Sequence, residues 1–175
     1  MKIGAIIPAA GQGRRMKSDI NKQYLQLDDR PLLAHTLEIF IDNSKIDQII
    51  AVVREDEIDF CRREILDKYN FQNVQLIAGG ETRQQSVNAG LMAFSPAINY
   101  VIIHDGARPL LPDEILDNVI EQLDHFDAIT TAVPVKDTIK SVDNENYVSN
   151  TLQRDRLKAI QTPQAFKYDL ISKAH

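Results

Sequence analysis

The 175-residue sequence holds one cysteine, Cys61, and no tryptophan. A single thiol excludes an intrachain disulfide and a cysteine metal cluster. Set in a helix-like run without basic company, it reads as a buried structural thiol. The four histidines stand apart at 35, 104, 125 and 175, without the HxxxH or HxH spacing of a zinc site. No apolar run approaches the ~20 residues that span a bilayer. The longest, around residues 3–10, is interrupted by Gly4 and Pro8. That N-terminal stretch also lacks the apolar core and small-residue cleavage pattern of a secretory signal, so the expected location is the cytoplasm, off the membrane. Positive charge is in the minority, with 20 Lys+Arg against 25 Asp+Glu and a net charge of −5. That sign argues against general nucleic-acid binding and leaves room for a local basic pocket.

What is present is an ordinary globular composition, 43% hydrophobic and 26% charged, enough for a core without disulfides. Short β-branched runs at residues 3–7, 49–53, 74–77, 100–103 and 128–133 predict strands covered on both faces. Helical spacing separates them. Leu33, Leu37, Phe40 and Ile41 follow Pro31; residues 55–68 form a charged amphipathic stretch; Val87, Leu91 and Phe94 share one side of 82–94. A further helix runs from Pro112 through His125, with Ile115, Val119, Ile120 and Leu123 as its apolar stripe. Strand–helix alternation predicts an α/β fold: a Rossmann-like, mainly parallel sheet flanked by helices. From about Pro134 the texture turns polar, and residues 136–150 read as a β-hairpin turning at Asp143 to Asn146. Such a hairpin has no core of its own and must lie on the sheet or on a partner subunit. The expected organisation is one domain over 1–175 with an arm at about 134–155.

In parallel sheets ligands bind beyond the carboxyl ends of the strands. Three unusual segments fall there. Pro8, Ala9, Ala10, Gly11, Gln12 and Gly13 form a small-residue loop whose backbone N–H groups can cradle an anion, with Arg14, Arg15, Lys17 and Lys22 close behind. The loop has neither the Gly-Lys-Ser/Thr ending of a Walker A loop nor a complete dinucleotide fingerprint, and it also reads as a plain βα turn. His104, Asp105, Gly106, Ala107, Arg108 and Pro109 place a carboxylate where Mg²⁺ is commonly held. The competing reading has Asp105 capping the turn and pairing with Arg108. His104 has no evident base or nucleophile partner and reads as structural. Gly79 through Ser86 lead from a Gly-Gly turn into a helix, suiting either nucleobase contact or helix capping by Glu81 or Thr82.

Six motifs now stand in series. They are Ala9-Ala10-Gly11-x-Gly13-x-Arg15-Met16, Lys22-Gln23-Tyr24-Leu25, Gly79-Gly80-x-x-Arg83-x-x-Ser86-Val87, His104 to Pro109, Pro134-Val135-x-Asp137-Thr138-Ile139-Lys140 and Gln161-Thr162-Pro163-Gln164-x-Phe166. Together they resemble the 2-C-methyl-D-erythritol 4-phosphate cytidylyltransferase family over nearly the whole chain. The resemblance implies transfer of CMP from CTP to the sugar-alcohol phosphate, with release of pyrophosphate, in the non-mevalonate isoprenoid pathway. It implies that Arg15 and Lys22 stabilise the transition state, and that the 8–13 loop holds the phosphates. Gly80, Glu81, Arg83, Ser86 and Gly106 would face CTP. Asp105 would hold Mg²⁺ or another divalent cation. Thr138, Arg154 and Thr162 would hold the acceptor, the first two donated by the arm to the neighbouring subunit of a homodimer with shared sites. It also implies a longer chain, continuing past the position of His175 with a threonine-rich segment and a later lysine. The neighbouring possibilities are a ribitol-5-phosphate cytidylyltransferase and a catalytically impaired nucleotide-binding module.

Overall fold

The computed structural model describes residues 1–11 and 21–175, and every count below is of these residues. In chain order the elements are β1 (Ile3–Pro8), a single 3₁₀ turn (Lys22–Tyr24), β2 (Gln26–Leu27), β3 (Arg30–Pro31), α1 (Leu32–Asp42) and β4 (Gln48–Val53). A helical segment follows, 3₁₀ at Glu55–Glu57, α at Ile58–Cys61 (α2) and wider-wound at Arg62–Asp67. Then come β5 (Val74–Ala78), α3 (Arg83–Ala93), β6 (Tyr100–Ile103), α4 (Asp113–Gln122), β7 (Ala128–Pro134), β8 (Lys140–Val142), β9 (Val148–Thr151), β10 (Lys158–Lys167) and α5 (Tyr168–Ala174). None of the helices is long and apolar enough to cross a membrane.

The five expected strands are all present, and the expected α/β architecture is the observed one. The main sheet has the order β5-β4-β1-β6-β10-β7. β5, β4, β1 and β6 run parallel, and β10 is antiparallel to both β6 and β7. Strand alternation explains how both faces are filled. Ile3, Ala5 and Ile7 of β1, with Ile49, Ala51 and Val53 of β4, pack into one layer with Leu33, Leu37 and Phe40 of α1 and Leu116, Val119 and Ile120 of α4. Ile6, Ile50 and Val52 point the other way, against Val87, Leu91 and Phe94 of α3. Gly4 lies on that second face: a Cβ there would fall 2.4 Å from the Phe94 ring. Each fully buried aliphatic side chain contributes about 1.5–3 kcal/mol, so this two-faced core dominates the energetics.

Two expectations need correction. The apolar stripe of α4 runs through Leu116, which is fully buried, and not through Ile115, which is 39% exposed. Val119, Ile120 and Leu123 are buried as expected, and it is Leu116, at i, i+3, i+4 and i+7 spacing with them, that completes the stripe, which leaves Ile115 one position off its face. The second is an omission, β10, a ten-residue strand whose Thr162–Pro163 peptide is cis. Its pairing with β7 shifts register between Ile160 and Gln164, beside that proline.

The connections fix where a ligand must sit. From β1 the chain moves outward to β4 and β5, then returns across the sheet to place β6 on the opposite side of β1. The order therefore reverses between β1 and β6, and such a switch point opens a crevice at the strands' carboxyl ends. The arm lies apart. β8 and β9 form their own two-stranded sheet. Its turn is built as expected, with Asp143 Oδ1 accepting from the backbone N–H groups of Glu145 and Tyr147 at 3.0 and 2.9 Å, and Asn146 at φ 65°.

Candidate active site

Backbone hydrogen bonds stitch the three post-strand segments together at the switch point. Ala9 N donates to Val52 O (2.7 Å), Gly79 N to Val53 O (2.7 Å), His104 N to Ile6 O (3.0 Å) and Gly106 N to Pro8 O (3.0 Å). Close approach makes two glycines necessary. A Cβ on Gly79 would lie 2.7 Å from both Ala10 Cβ and Ser86 Oγ, and one on Gly106 would lie 3.0 Å from Ala9 Cβ. Gly11 is different: a Cβ there meets nothing within 4 Å, so its place in the loop is not set by packing against the described protein.

Between these segments lies a cavity of about 300 Å³, lined by Pro8, Ala9, Ala10, Gly11, Lys22, Gln23, Gly80, Glu81, Thr82, Arg83, Ser86, Asp105, Gly106 and Ala107. Of the residues expected to face CTP, all the described ones are here. Gln12, Gly13, Arg14, Arg15 and Lys17 lie outside the described residues. Gln23, Thr82 and Ala107 join the site by position alone.

Thr82 caps α3, accepting from Gln85 N at 3.1 Å while Gln85 Oε1 accepts from Thr82 N at 3.0 Å, a reciprocal capping box. Capping therefore coexists with a place on the cavity wall, and Glu81 is left exposed there. Ser86 is buried, and its hydroxyl donates to Thr82 O at 3.0 Å. With its one proton spent, Ser86 can offer a ligand only acceptor lone pairs.

Asp105 is the electrostatic centre. Its Oδ1 accepts from Arg83 Nε and Nη2 at 3.2 and 3.0 Å, and its Oδ2 from Arg108 Nε at 3.1 Å. Arg108 also donates to Gln161 Oε1, and Asp105 N to Thr162 Oγ1 at 3.3 Å. Asp105 thus ties the first turn of α3 to the turn after β6 through its carboxylate, and to β10 through its backbone N–H. The Asp105–Arg108 pairing weighed from the sequence is real, and Arg83 is a second partner it did not foresee. Among the described residues no group of three His, Cys, Asp or Glu converges as a cation cage. A lone carboxylate sharing a cavity with Lys22 and the described start of the small-residue loop still fits Mg²⁺, which uses one or two carboxylates with substrate phosphates and water.

His104 is 1% exposed, donates through Nε2 to Arg108 O at 3.0 Å and packs against Phe40. Burial holds its imidazole below the usual histidine range, as a structural residue requires. Cys61 is fully buried, and burial pushes its thiol up to about 12, the inert structural thiol expected.

Thr162 stands beside Asp105 but lines a second groove of about 760 Å³, walled mainly by Pro109, Leu110, Leu111, Ile115, Val119 and Val133. This wider groove is walled mainly by apolar side chains, whereas the smaller cavity carries Lys22, Arg83 and Asp105. Thr138 and Arg154 are not among the residues lining either. Arg154 sits at the base of the arm, donating to Lys136 O at 3.0 Å in a cleft with Pro134, Val135, Asp155 and Lys158. Within one chain, the three residues expected at the acceptor do not come together.

Residues 3–175 match the family model described as IspD: 2-C-methyl-D-erythritol 4-phosphate cytidylyltransferase. The chain is 45% identical over 172 residues to the 2-C-methyl-D-erythritol 4-phosphate cytidylyltransferase of Clostridium novyi (strain NT), covering 98% of this chain and 74% of that one. It is 46% identical to that of Syntrophotalea carbinolica, covering all of this chain and 76% of the relative. Among solved structures, the 4-diphosphocytidyl-2C-methyl-D-erythritol synthase of Anaerococcus prevotii superposes with a TM-score of 0.85 at 38% identity, covering 98% of this chain and 72% of that one. The chain spans about three quarters of the length of these relatives.

Proposed function

Because this chain belongs to the 2-C-methyl-D-erythritol 4-phosphate cytidylyltransferase family, we infer that its cavity at the β1/β6 switch point is where that reaction occurs. The activity is transfer of CMP from CTP to 2-C-methyl-D-erythritol 4-phosphate, a nucleotidyl transfer of isoprenoid biosynthesis. A phosphate oxygen of the acceptor forms a bond to the α-phosphorus of CTP. The bond from that phosphorus to the bridging oxygen breaks, and pyrophosphate leaves. Little covalent chemistry is asked of the protein; positioning and charge neutralisation carry the rate.

In our reading the CTP phosphates lie along Pro8–Gly13, with Lys22 and Arg15 neutralising charge that grows on the α-phosphoryl group. Gly80, Glu81, Arg83 and Ser86 face the cytidine, Ser86 as acceptor, and Gly106, whose backbone packs onto Ala9, lines the nucleotide's side of the same cavity. Asp105 would hold Mg²⁺ or a similar cation, which supplies further neutralisation of the triphosphate; Arg83 and Arg108 hold that carboxylate in position. The observation that carries the reading is the convergence of Lys22, Arg83 and Asp105 on one cavity with the small-residue loop after β1.

Thr162 beside Asp105, with Thr138 and Arg154 of a neighbouring subunit's arm, completes the acceptor site in this proposal. The supporting observation is the exposure of the arm: Val142 is 53% and Val148 61% exposed in the single chain. We take residues 1–175 as one nucleotidyltransferase domain with the arm part of it, acting as a homodimer. Both substrates are multiply charged and do not cross a bilayer unaided, which supports a cytoplasmic location. The test is pyrophosphate release from CTP with 2-C-methyl-D-erythritol 4-phosphate against ribitol 5-phosphate. Turnover with the first acceptor is expected; preference for the second, or CTP binding without release, would replace this reading. Neither alternative is favoured by the family match.

A further inference from the structure

We propose that Glu57 is a positioning residue that aims Lys22 into the cavity, an inference that rests on the role given to Lys22 above. Lys22 is the exposed member of a short 3₁₀ turn whose other residues are buried, Gln23 at 3% and Tyr24 at 8% exposure. The residues on both sides of Lys22 donate to one acceptor. Asn21 Nδ2 donates to Glu57 Oε1, while Gln23 Nε2 and Tyr24 OH donate to Oε2 at 3.3 and 3.2 Å. Glu57 arrives from elsewhere in the chain, in the 3₁₀ turn after β4, and its side chain is only 14% exposed. An ionised carboxylate is acceptor-only with about four lone-pair sites, so it can take three donors at once. Tyr24 is additionally held edge-on to Phe60, with ring centroids 4.9 Å apart.

A lysine ammonium rides on a flexible four-carbon stem, so its reach into a site is only as defined as the backbone it starts from. Clamping residues 21, 23 and 24 to the sheet's carboxyl edge fixes that origin while leaving residue 22 facing the cavity. Misplacement by about 1 Å through a remote change can cost up to 10²-fold in rate. A purely structural carboxylate, present only to satisfy Gln23 and Tyr24, would affect stability without acting through Lys22. The two roles separate in a double-mutant cycle.

The experiment measures kcat and KM for CTP in the full chain with Lys22→Ala, Glu57→Ala and both, and unfolding midpoints alongside. Glu57→Ala is expected to lower kcat about tenfold or more while KM for CTP moves less than about twofold. In the Lys22→Ala background the same change is expected to alter kcat by less than about twofold. Full multiplication of the two losses, or an unchanged kcat in Glu57→Ala, overturns the proposal and leaves the role of Lys22 intact. A near-normal kcat in Lys22→Ala removes the role of Lys22 itself and this inference with it. If Glu57→Ala does not fold, Tyr24→Phe serves, because it deletes one donor and keeps the ring against Phe60. It is expected to lower kcat about threefold in the parent and not in the Lys22→Ala background; equal effects in both overturn the proposal.

Discussion

The carboxyl end of the sheet and the arm are made from the same chain by opposite rules. At the sheet end, β1 and β4 are buried on both faces, and each loop is fixed by backbone bonds to a neighbouring strand. In the arm, residues 136–156 include no buried side chain, and the hairpin is held by its own ladder and turn. The first region is complete within one chain. The second exposes Val142, Tyr147, Val148 and Leu152 to no described neighbour, as a surface built for contact would. In the proposed arrangement the first region alone preorganises the CTP half of the site, while the acceptor half depends on what the second region meets.

The largest expected effect tests this contrast directly. Leu37→Ala in α1, fully buried, should cost about 2–5 kcal/mol of stability. Val148→Ala in the arm should cost less than about 0.5 kcal/mol when the protein is dilute enough to be monomeric. Denaturant unfolding measures both. Comparable losses would mean that the arm has a core the single chain does not reveal.

Next in size is chemistry at the sheet end. Lys22→Ala and Arg15→Ala should each lower kcat by roughly 10²-fold, the scale of losing a preorganised charge contact, with CTP affinity changed much less. Steady-state kinetics with saturating acceptor decides. Losses confined to KM for CTP would make these residues ground-state binders.

Asp105→Asn should follow. If its carboxylate holds the cation, the Mg²⁺ concentration for half-maximal CTP binding should rise about tenfold or more, while circular dichroism stays native. An unchanged Mg²⁺ dependence would reduce Asp105 to a tie between Arg83 and Arg108. It would then account for the described contacts by itself.

How much of this was legible follows from the kinds of residue involved. The central strands announce themselves because strands covered on both faces are written as unbroken Val/Ile runs, such as Gln48–Val53. The loops announce themselves because close approach demands Gly79 and Gly106. β10 carries no such mark because Lys158–Lys167 mixes polar residues with Pro163, and only Pro163 and Ala165 of its ten are buried. The Asp105–Arg83 bond joins positions 22 residues apart, and the bonds onto Glu57 join positions 33 to 36 apart. No local pattern encodes such pairs; the β1-to-β4 crossover creates the bonds onto Glu57, and the return from β5 to β6 creates the Asp105–Arg83 bond.

The smallest expected signal is the most specific to the arm. Arg154 sits at its base, donating to the Lys136 carbonyl, away from the cavity of its own chain. If it serves a partner's site, Arg154→Ala should raise KM for the sugar phosphate and spare CTP binding, because a guanidinium clamp on a phosphate is lost. The same substitution cannot say whose site was damaged. Mixing can. An Arg15→Ala subunit paired with an Arg154→Ala subunit in a two-fold dimer has one site carrying both lesions and one carrying neither, if the arms cross. Random exchange of subunits then returns about a quarter of the parent activity, since about half the dimers are mixed and each holds one intact site. If each arm serves its own chain, every site keeps one lesion and mixing restores nothing. That result would leave a dimer possible but remove the shared site, and the exposed apolar residues of the arm would then need another explanation.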